Sequence, residues 1–378
     1  MTRLRTDRIL FLTIVSMVGF GLVMLYSASV AQKSVPYYFA VRQIGWAVIS
    51  FAVMMAFKKM DYRRLNSPAW AFSGLGIVLA LLVAVYFYDS GPHGSHRWFR
   101  FDGIGSFQPS EFAKPALIVF LAHFVARRAN IINDKKTLRQ ALLAVLLLGA
   151  LVVVADLGTA LVPLITAVLI FWVAGLNWSY TWRVALIGIF VVLVAVVTRG
   201  YRLGRVISFF DPQYKIISII DTHNRIRSYV ESSTNVADPK YQGDQAEIAV
   251  GSGGLFGVGL MRGKQKLGFL PDPHTDFIFA AIAEELGFWG PALILAGFLI
   301  ILWRGARLFV LARDDFGKYL ALGVTLTIVV QALMNMTVVL GMAPTKGFPL
   351  PLISFGGSSL LSTLMILGML LSVSEHEG

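Results

Sequence analysis

Ten apolar runs follow one another along this chain, most of them about 17–25 residues long, the length a helix needs to cross the ~30 Å core of a bilayer. They fall at about 9–28, 40–57, 69–88, 109–126, 139–155, 158–175, 183–199, 275–303, 318–340 and 355–373. Only 14% of the 378 residues are charged against 56% hydrophobic, too little charge to cover a soluble surface of this size. We therefore expect an all-α, polytopic membrane protein with ten transmembrane helices in one domain, 1–378. The fifth and sixth runs are parted only by Asp156-Leu157-Gly158. The eighth is over-long and broken by Gly287 and Gly290-Pro291, which predicts a tilted or kinked helix.

The net charge of +12 sits in short runs between apolar segments, which is how topology is set in a bilayer and argues against a nucleic-acid partner. Lys58, Lys59, Arg63 and Arg64 follow run two; Arg127, Arg128, Lys135, Lys136 and Arg139 follow run four; Arg304, Arg307, Arg313 and Lys318 follow run eight. The alternate loops hold little beyond Lys33, Arg97, Arg100 and Lys346. The positive-inside rule then places both termini in the cytoplasm and the long 200–274 loop, between helices 7 and 8, outside. Bases in so long a loop do not count toward orientation. Arg3, Arg5 and Arg8 ahead of an apolar run resemble a signal sequence, but the run is longer than a cleavable core and reads as a retained first helix. Without cysteine there are neither disulfides nor thiolate metal sites. No internal repeat is evident, which disfavours an inverted-repeat transporter.

Four polar clusters stand at the expected outer ends of the spans. In the first, Arg97-Trp98-Phe99-Arg100 precedes Gln108-Pro109-Ser110-Glu111, with Pro109 at a helix start and Ser110 as its cap. Glu111 and Lys114 share a helical face, either as an ion pair that orients the helix or with Lys114 also meeting an anionic headgroup. The second is Asp156-Leu157-Gly158-Thr159, where Asp156 reads first as a helix cap and second as a functional acid. In the third, Lys346 to Ser359, two prolines followed by Gly356-Gly357 and Ser358-Ser359 predict non-helical backbone at membrane depth. Such backbone is tolerated where protein buries it or a watery cavity is lined, and its helix-start N–H groups could hold an anion.

The fourth cluster, Phe269 to Gly287, carries Asp272, His274 and Asp276 at the boundary of run eight, with Glu284 and Glu285 two turns deeper. Acids at that depth are a functional hypothesis by default. Asp276 would occupy the first helical turn with Thr275 or Asp272 as cap, and the helix N-terminus would keep it ionised at neutral pH, fit to accept a proton or hold a cation. Glu284 lies roughly 12 Å further along the axis, too far for a dyad, and reads with Glu285 as structural. Capping alone is the competing account of Asp276. The glycine run at 251–259 lacks the Gly-Lys-Ser/Thr of a phosphate loop. His274 and Asp276 are too few for a dedicated metal site, so a hard divalent ion would be shared with substrate oxygens.

In order and topology these blocks resemble the SEDS (shape, elongation, division and sporulation) family of ten-span peptidoglycan polymerases. The resemblance rests on Gly21 to Ser29, Arg97-Trp98, Gln108-Pro109-Ser110-Glu111, Asp156-Leu157-Gly158-Thr159-Ala160, Tyr241-Gln242, Gln245, His274-Thr275-Asp276-Phe277 and Pro351 to Ser359. Tyr37-Tyr38-Phe39, Gln265-Lys266-Leu267 and Pro344-Thr345-Lys346-Gly347 look closer to the division subgroup (FtsW type) than to the elongation subgroup (RodA type). The resemblance implies an inverting glycosyltransferase that joins lipid II units in the bacterial cytoplasmic membrane, at the septum, releasing undecaprenyl diphosphate. Asp276 would be the catalytic base, with Arg97, Glu111, Lys114, Asp156, His274, Lys346 and Ser358 as substrate contacts. A divalent cation (Mg or Mn) shared with the diphosphate is implied, and no organic cofactor. The implied partners are an FtsI-like class B penicillin-binding protein and other division proteins. A lipid II flippase is the alternative from another class, and a non-catalytic scaffold of the division complex a third. The chain departs from the family pattern at Val154-Ala155 before Asp156, in an extra stretch at about 221–240, at Asp244 and Glu247, and at Phe355 in place of Tyr.

Overall fold

Inside a bilayer each backbone polar group must be satisfied within the protein, and apolar runs of this length do so as helices. The computed structural model describes residues 7–29, 37–88, 97–101, 105–211, 221, 225–233 and 240–376. Its α-helices are, in chain order, α1 (Arg8–Ser29), α2 (Tyr38–Lys59), α3 (Pro68–Tyr88), α4 (Pro109–Arg128), α5 (Lys135–Ala155), α6 (Leu157–Val173), α7 (Trp178–Val197), α8 (Gly200–Phe210), α9 (Arg225–Ser233), α10 (Tyr241–Gly253), α11 (Ile278–Leu286), α12 (Trp289–Leu311), α13 (Asp315–Val339) and α14 (Gly357–His376). One antiparallel hairpin, β1 (Phe99–Phe101) with β2 (Gly105–Phe107), pairs Arg100 with Ser106 ahead of α4. Among the described residues eight helices, α1, α2, α3, α5, α7, α12, α13 and α14, are long and apolar enough to cross a membrane. The chain is an all-α, multi-pass membrane protein.

Two apolar cores fill the bundle. Residues of α1, α2 and α11 to α14 build one, and residues of α3 to α7 the other. Helix α4 lies between them and is buried almost throughout from Ala113 to Val125, whereas α7 turns most of its apolar surface outward. At one end of the bundle the described chain ends meet the basic loops. The Asp7 N–H donates to Ser374 Oγ (3.0 Å), Arg304 Nε reaches Asp7 (2.5 Å), Lys58 pairs with Glu375 (3.6 Å) and Arg63 with Asp314 (3.7 Å). The hairpin, the α5–α6 turn and the 341–356 segment gather at the other end.

The expected eighth span, 275–303, is not one helix. Helix α11 stops at Leu286 because Gly287 takes φ +62° and ψ −151°, a conformation that side chains other than hydrogen disfavour. The Phe288 N–H then donates to Gly254 O (2.9 Å), and α12 starts afresh at Trp289. Glu284 and Glu285 of α11 are structural, as expected. The Glu284 carboxylate accepts from the Lys264 N–H (2.7 Å), and Glu285 takes Lys266 Nζ (2.5 Å), the Ser27 hydroxyl and the Met261 N–H (3.1 Å). Pro109 opens α4 as expected, but its cap position is Gln108; Ser110 lies inside the first turn and accepts from Gln108 Nε2 (3.0 Å). Arg3, Arg5 and Lys33 lie outside the described residues. So does much of the 221–240 stretch, whose described part is α9 with Asp221 accepting from the Arg225 (2.9 Å) and Ile226 (2.6 Å) N–H groups.

Candidate active site

Where the hairpin, α8 and the ends of α2, α4, α5, α6, α7 and α13 converge, they enclose a cavity of about 670 Å³. Asp156 forms its floor between two helices: it ends α5 and caps α6, its carboxylate accepting from the Gly158 N–H (2.9 Å) and Thr159 Oγ1 (2.9 Å). Arg97 lies beside it, Nη1 3.9 Å from the carboxylate and Nε donating to Ala155 O (2.9 Å). The cap and the cavity wall are thus the same residue. Burial pushes the Asp156 carboxyl up, but Arg97, Lys346 and the two hydrogen bonds outweigh it and hold the group below its usual range.

Asp276 stands in the connecting turn just ahead of Phe277, the cap position of α11, and not in the first helical turn as expected. Its backbone is stitched to the 348–354 segment. Asn335 Nδ2, deep on α13, donates to Asp276 O (2.8 Å) and Phe348 O (2.5 Å), and Ser354 Oγ donates to Thr275 O (2.6 Å). The carboxylate rests against Gly347 at the cavity wall. Burial raises its pKa to about 7, and the negative charges of Asp156 and Asp272 add to the shift while Arg205 and Arg97 oppose it. The expectation of a fully ionised acid stabilised by a helix N-terminus is therefore corrected: desolvation and two neighbouring carboxylates decide, and no helical turn begins at this side chain.

Among the described residues five cations line the cavity: Arg42, Arg97, Arg202, Arg205 and Lys346. Burial pulls the Lys346 ammonium down to about 7; Asp156 opposes that shift, and Arg202, Arg97 and Arg205 deepen it. The segment that carries Lys346 is the expected non-helical backbone, buried among polar side chains. Gln331 Nε2 donates to Pro349 O (2.8 Å), Ser354 Oγ accepts from the Leu350 N–H (2.7 Å), and Gln43 spans Ser354 O (3.3 Å) and the Gly356 N–H (3.2 Å).

Of the expected substrate contacts, Arg97, Glu111, Asp156 and Lys346 line the cavity with Asp276, and Lys114, His274 and Ser358 do not. Lys114 is consumed inside the bundle, its ammonium 2.7 Å from Glu111 and donating to Gln331 Oε1 (2.8 Å), which favours the ion-pair reading. The His274 ring stacks on Phe39 (4.0 Å between centroids), and burial lowers its pKa against the pull of Asp272. Ser358 Oγ accepts from the Gln108 N–H (3.0 Å) and braces the start of α4. Among the described residues no group of three or more His, Asp or Glu side chains is placed to hold a metal ion. Sequence reasoning missed Asn335, Arg202 and Arg205. An Asn in the middle of an apolar run was a signal for the first; the arginines sit in a long loop whose bases carry no topological information.

A sequence model of the family described as "Cell cycle protein", covering FtsW, RodA and SpoVE, matches residues 7–378. The chain is 35% identical over 376 residues to the "Probable peptidoglycan glycosyltransferase FtsW" of Trichlorobacter lovleyi, covering 97% of this chain and 93% of that one. It is 35% identical over 392 residues to the "Stage V sporulation protein E" of Bacillus subtilis, covering all of both. Among solved structures it is similar to a chain of a peptidoglycan synthase complex that coordinates polymerization and crosslinking (TM-score 0.72, 26% identity, 97% of each chain covered). It is also similar to the rod shape determining protein RodA of Thermus thermophilus (TM-score 0.68, 27% identity, 97% and 95% covered).

Proposed function

This chain belongs to the FtsW, RodA and SpoVE family, and from that premise we propose that its cavity polymerises lipid II as a peptidoglycan glycosyltransferase. The observation that carries the site assignment is the placing of Asp276, with a pKa of about 7, on the wall of a cavity lined by five cations. A base acts best when its pKa is near the working pH, and Asp276 meets that condition. Its carboxylate takes the proton of the acceptor sugar 4-hydroxyl while that oxygen bonds to the donor anomeric carbon. The bond from that carbon to the diphosphate breaks, its electron pair leaves with the diphosphate, and the configuration inverts. The cations of the wall neutralise the charge that develops on the leaving group. A magnesium or manganese ion carried in on the diphosphate would add to that neutralisation; the roles given to the chain's own residues do not depend on it.

The topology follows the same reading. Helices α4 and α6 also cross the membrane, which brings the spans to ten, both ends in the cytoplasm. The support is that Asp7 and Ser374 lie with Lys58, Arg63 and Arg304 at the end of the bundle away from the cavity. The cavity then opens to the outside, where lipid-linked disaccharide is joined. The resemblance to a polymerase–crosslinking complex supports a class B penicillin-binding protein as partner, and the FtsW-named relatives support a place at the division septum.

The test is polymerisation of lipid II by the purified chain with its partner, read as glycan length on a gel. Asp276→Asn should abolish it while leaving the thermal transition in place. Normal polymerisation by Asp276→Asn would remove Asp276 from the role of base. Transport of lipid II across vesicles that survives Asp276→Asn, without polymerisation, would establish the flippase alternative.

A further inference from the structure

The five cations of the cavity are not equivalent. Arg97 is held by Ala155 O and Asp156. Arg202 is spent on the fold: Nη1 donates to Ala195 O (3.2 Å), Nη2 to Val153 O (3.2 Å) and Nε to Tyr201 Oη (3.0 Å), so it clamps α8 to the ends of α5 and α7. Arg42 donates to the Tyr38 hydroxyl and lies over its ring. Two remain. Lys346 Nζ is buried with no hydrogen-bond partner among the described residues. The Arg205 guanidinium has no hydrogen bond or ion pair among the described residues, although it is near enough to Asp156 and Asp276 to feel both charges.

Lys346 Nζ is buried and Arg205 half-buried; an unpaired cation taken even partly out of water is costly to keep, and a cavity that holds two of them is built for an anion. The two come from different parts of the chain. Arg205 stands one turn beyond Arg202 on α8, and the clamp made by Arg202 fixes the helix so that Arg205 projects into the cavity. The Lys346 stem crosses the start of α6, where a Cβ on Gly158 would lie 3.1 Å from Lys346 Cε, so its direction is set by packing. Asp276 faces the same space.

Resting on the lipid II polymerase reading, we infer that Arg205 and Lys346 together form the cradle for the donor diphosphate, with Arg205 as its bidentate arm. A guanidinium presents paired N–H donors that match two phosphate oxygens, and an ammonium serves as a point charge. When the sugar–oxygen bond breaks, the electron pair stays on the diphosphate, which gains one negative charge. The cradle therefore binds the departing group more tightly than the substrate, the condition for accelerating the step. The docked anion supplies the partner that Lys346 Nζ lacks among the described residues.

The test uses the full-length chain in detergent with farnesyl diphosphate as a soluble probe, binding being followed by calorimetry and lipid II polymerisation in parallel. Arg205→Gln and Lys346→Gln should each weaken probe binding by about tenfold or more, the loss of a charge-assisted hydrogen bond. Arg205→Lys should recover part of it. Asp276→Asn should bind the probe at least as well as wild type, since it removes a neighbouring negative charge. Because the Arg205 guanidinium makes no hydrogen bond or ion pair among the described residues, Arg205→Gln should melt with wild type. Wild-type affinity in Arg205→Gln, or a lowered melting temperature with unchanged binding, overturns the inference. A wild-type chain that binds the probe but never polymerises lipid II defeats the polymerase reading instead, and leaves the cradle to be judged by the binding data alone.

Discussion

The carboxylate of Asp276 packs directly on the backbone of Gly347, leaving no room for a Cβ between them. One glycine therefore sets how close the acid stands to the segment that carries Lys346. Gly347→Ala should push the carboxylate aside. A displacement near 1 Å at a reacting group lowers turnover about 100-fold. Polymerisation by Gly347→Ala should fall by about that factor with little change in melting temperature; undiminished turnover would show that the carboxylate position is not critical.

The pH profile follows from two shifted groups in the connecting segments. Asp276, raised to about 7, must lose its proton to act as base, so kcat/KM should fall about tenfold per unit as the pH drops below 7. Lys346, lowered to about 7, loses its charge as the pH rises, which should depress the alkaline side. The expected profile is a narrow bell centred near 7, measured on lipid II at subsaturating concentration. Lys346→Arg should extend the alkaline limb, because a guanidinium stays charged.

Lys114 should prove to be a stability residue. Its side chain and that of Glu111 are each 3% exposed and paired at 2.7 Å. Lys114→Met strands the carboxylate in the bundle and should cost about 3–5 kcal/mol. The double variant Glu111→Gln with Lys114→Met should regain much of that loss, as read by thermal unfolding in detergent. A selective rise in KM at unchanged melting temperature would instead return Lys114 to substrate binding.

Gly287 is the hinge between α11 and α12. A Cβ there meets the Leu255 backbone at 2.6 Å, and the φ, ψ pair is one that only glycine adopts readily. Gly287→Ala should destabilise by roughly 2 kcal/mol or more. The readout is faster hydrogen exchange at the Phe288 N–H, which now donates to Gly254 O.

Much of the architecture was legible before any coordinates, because apolar length decides which segments can cross a bilayer. The turn at Asp156, the non-helical segment from Lys346 to Ser359 and the structural roles of Glu284 and Glu285 were readable from Gly, Pro and charge at span ends. The continuity of residues 275–303 was misread, since the break depends on how Gly287 meets the 254–257 backbone, a contact between segments. Lys114 was expected at the substrate and Arg205 was passed over for the same reason. Both are bases near the ends of helices, and only packing tells which base is already spent.

By itself the sequence determined the multi-pass helical class, the family and the short list that contains Asp276, because these rest on composition and on the order of motifs along the chain. Tertiary structure alone decided the state of Asp276 and the availability of each cation. A pKa and an unpaired charge depend on the dielectric and the partners that residues far apart in sequence bring within a few ångströms.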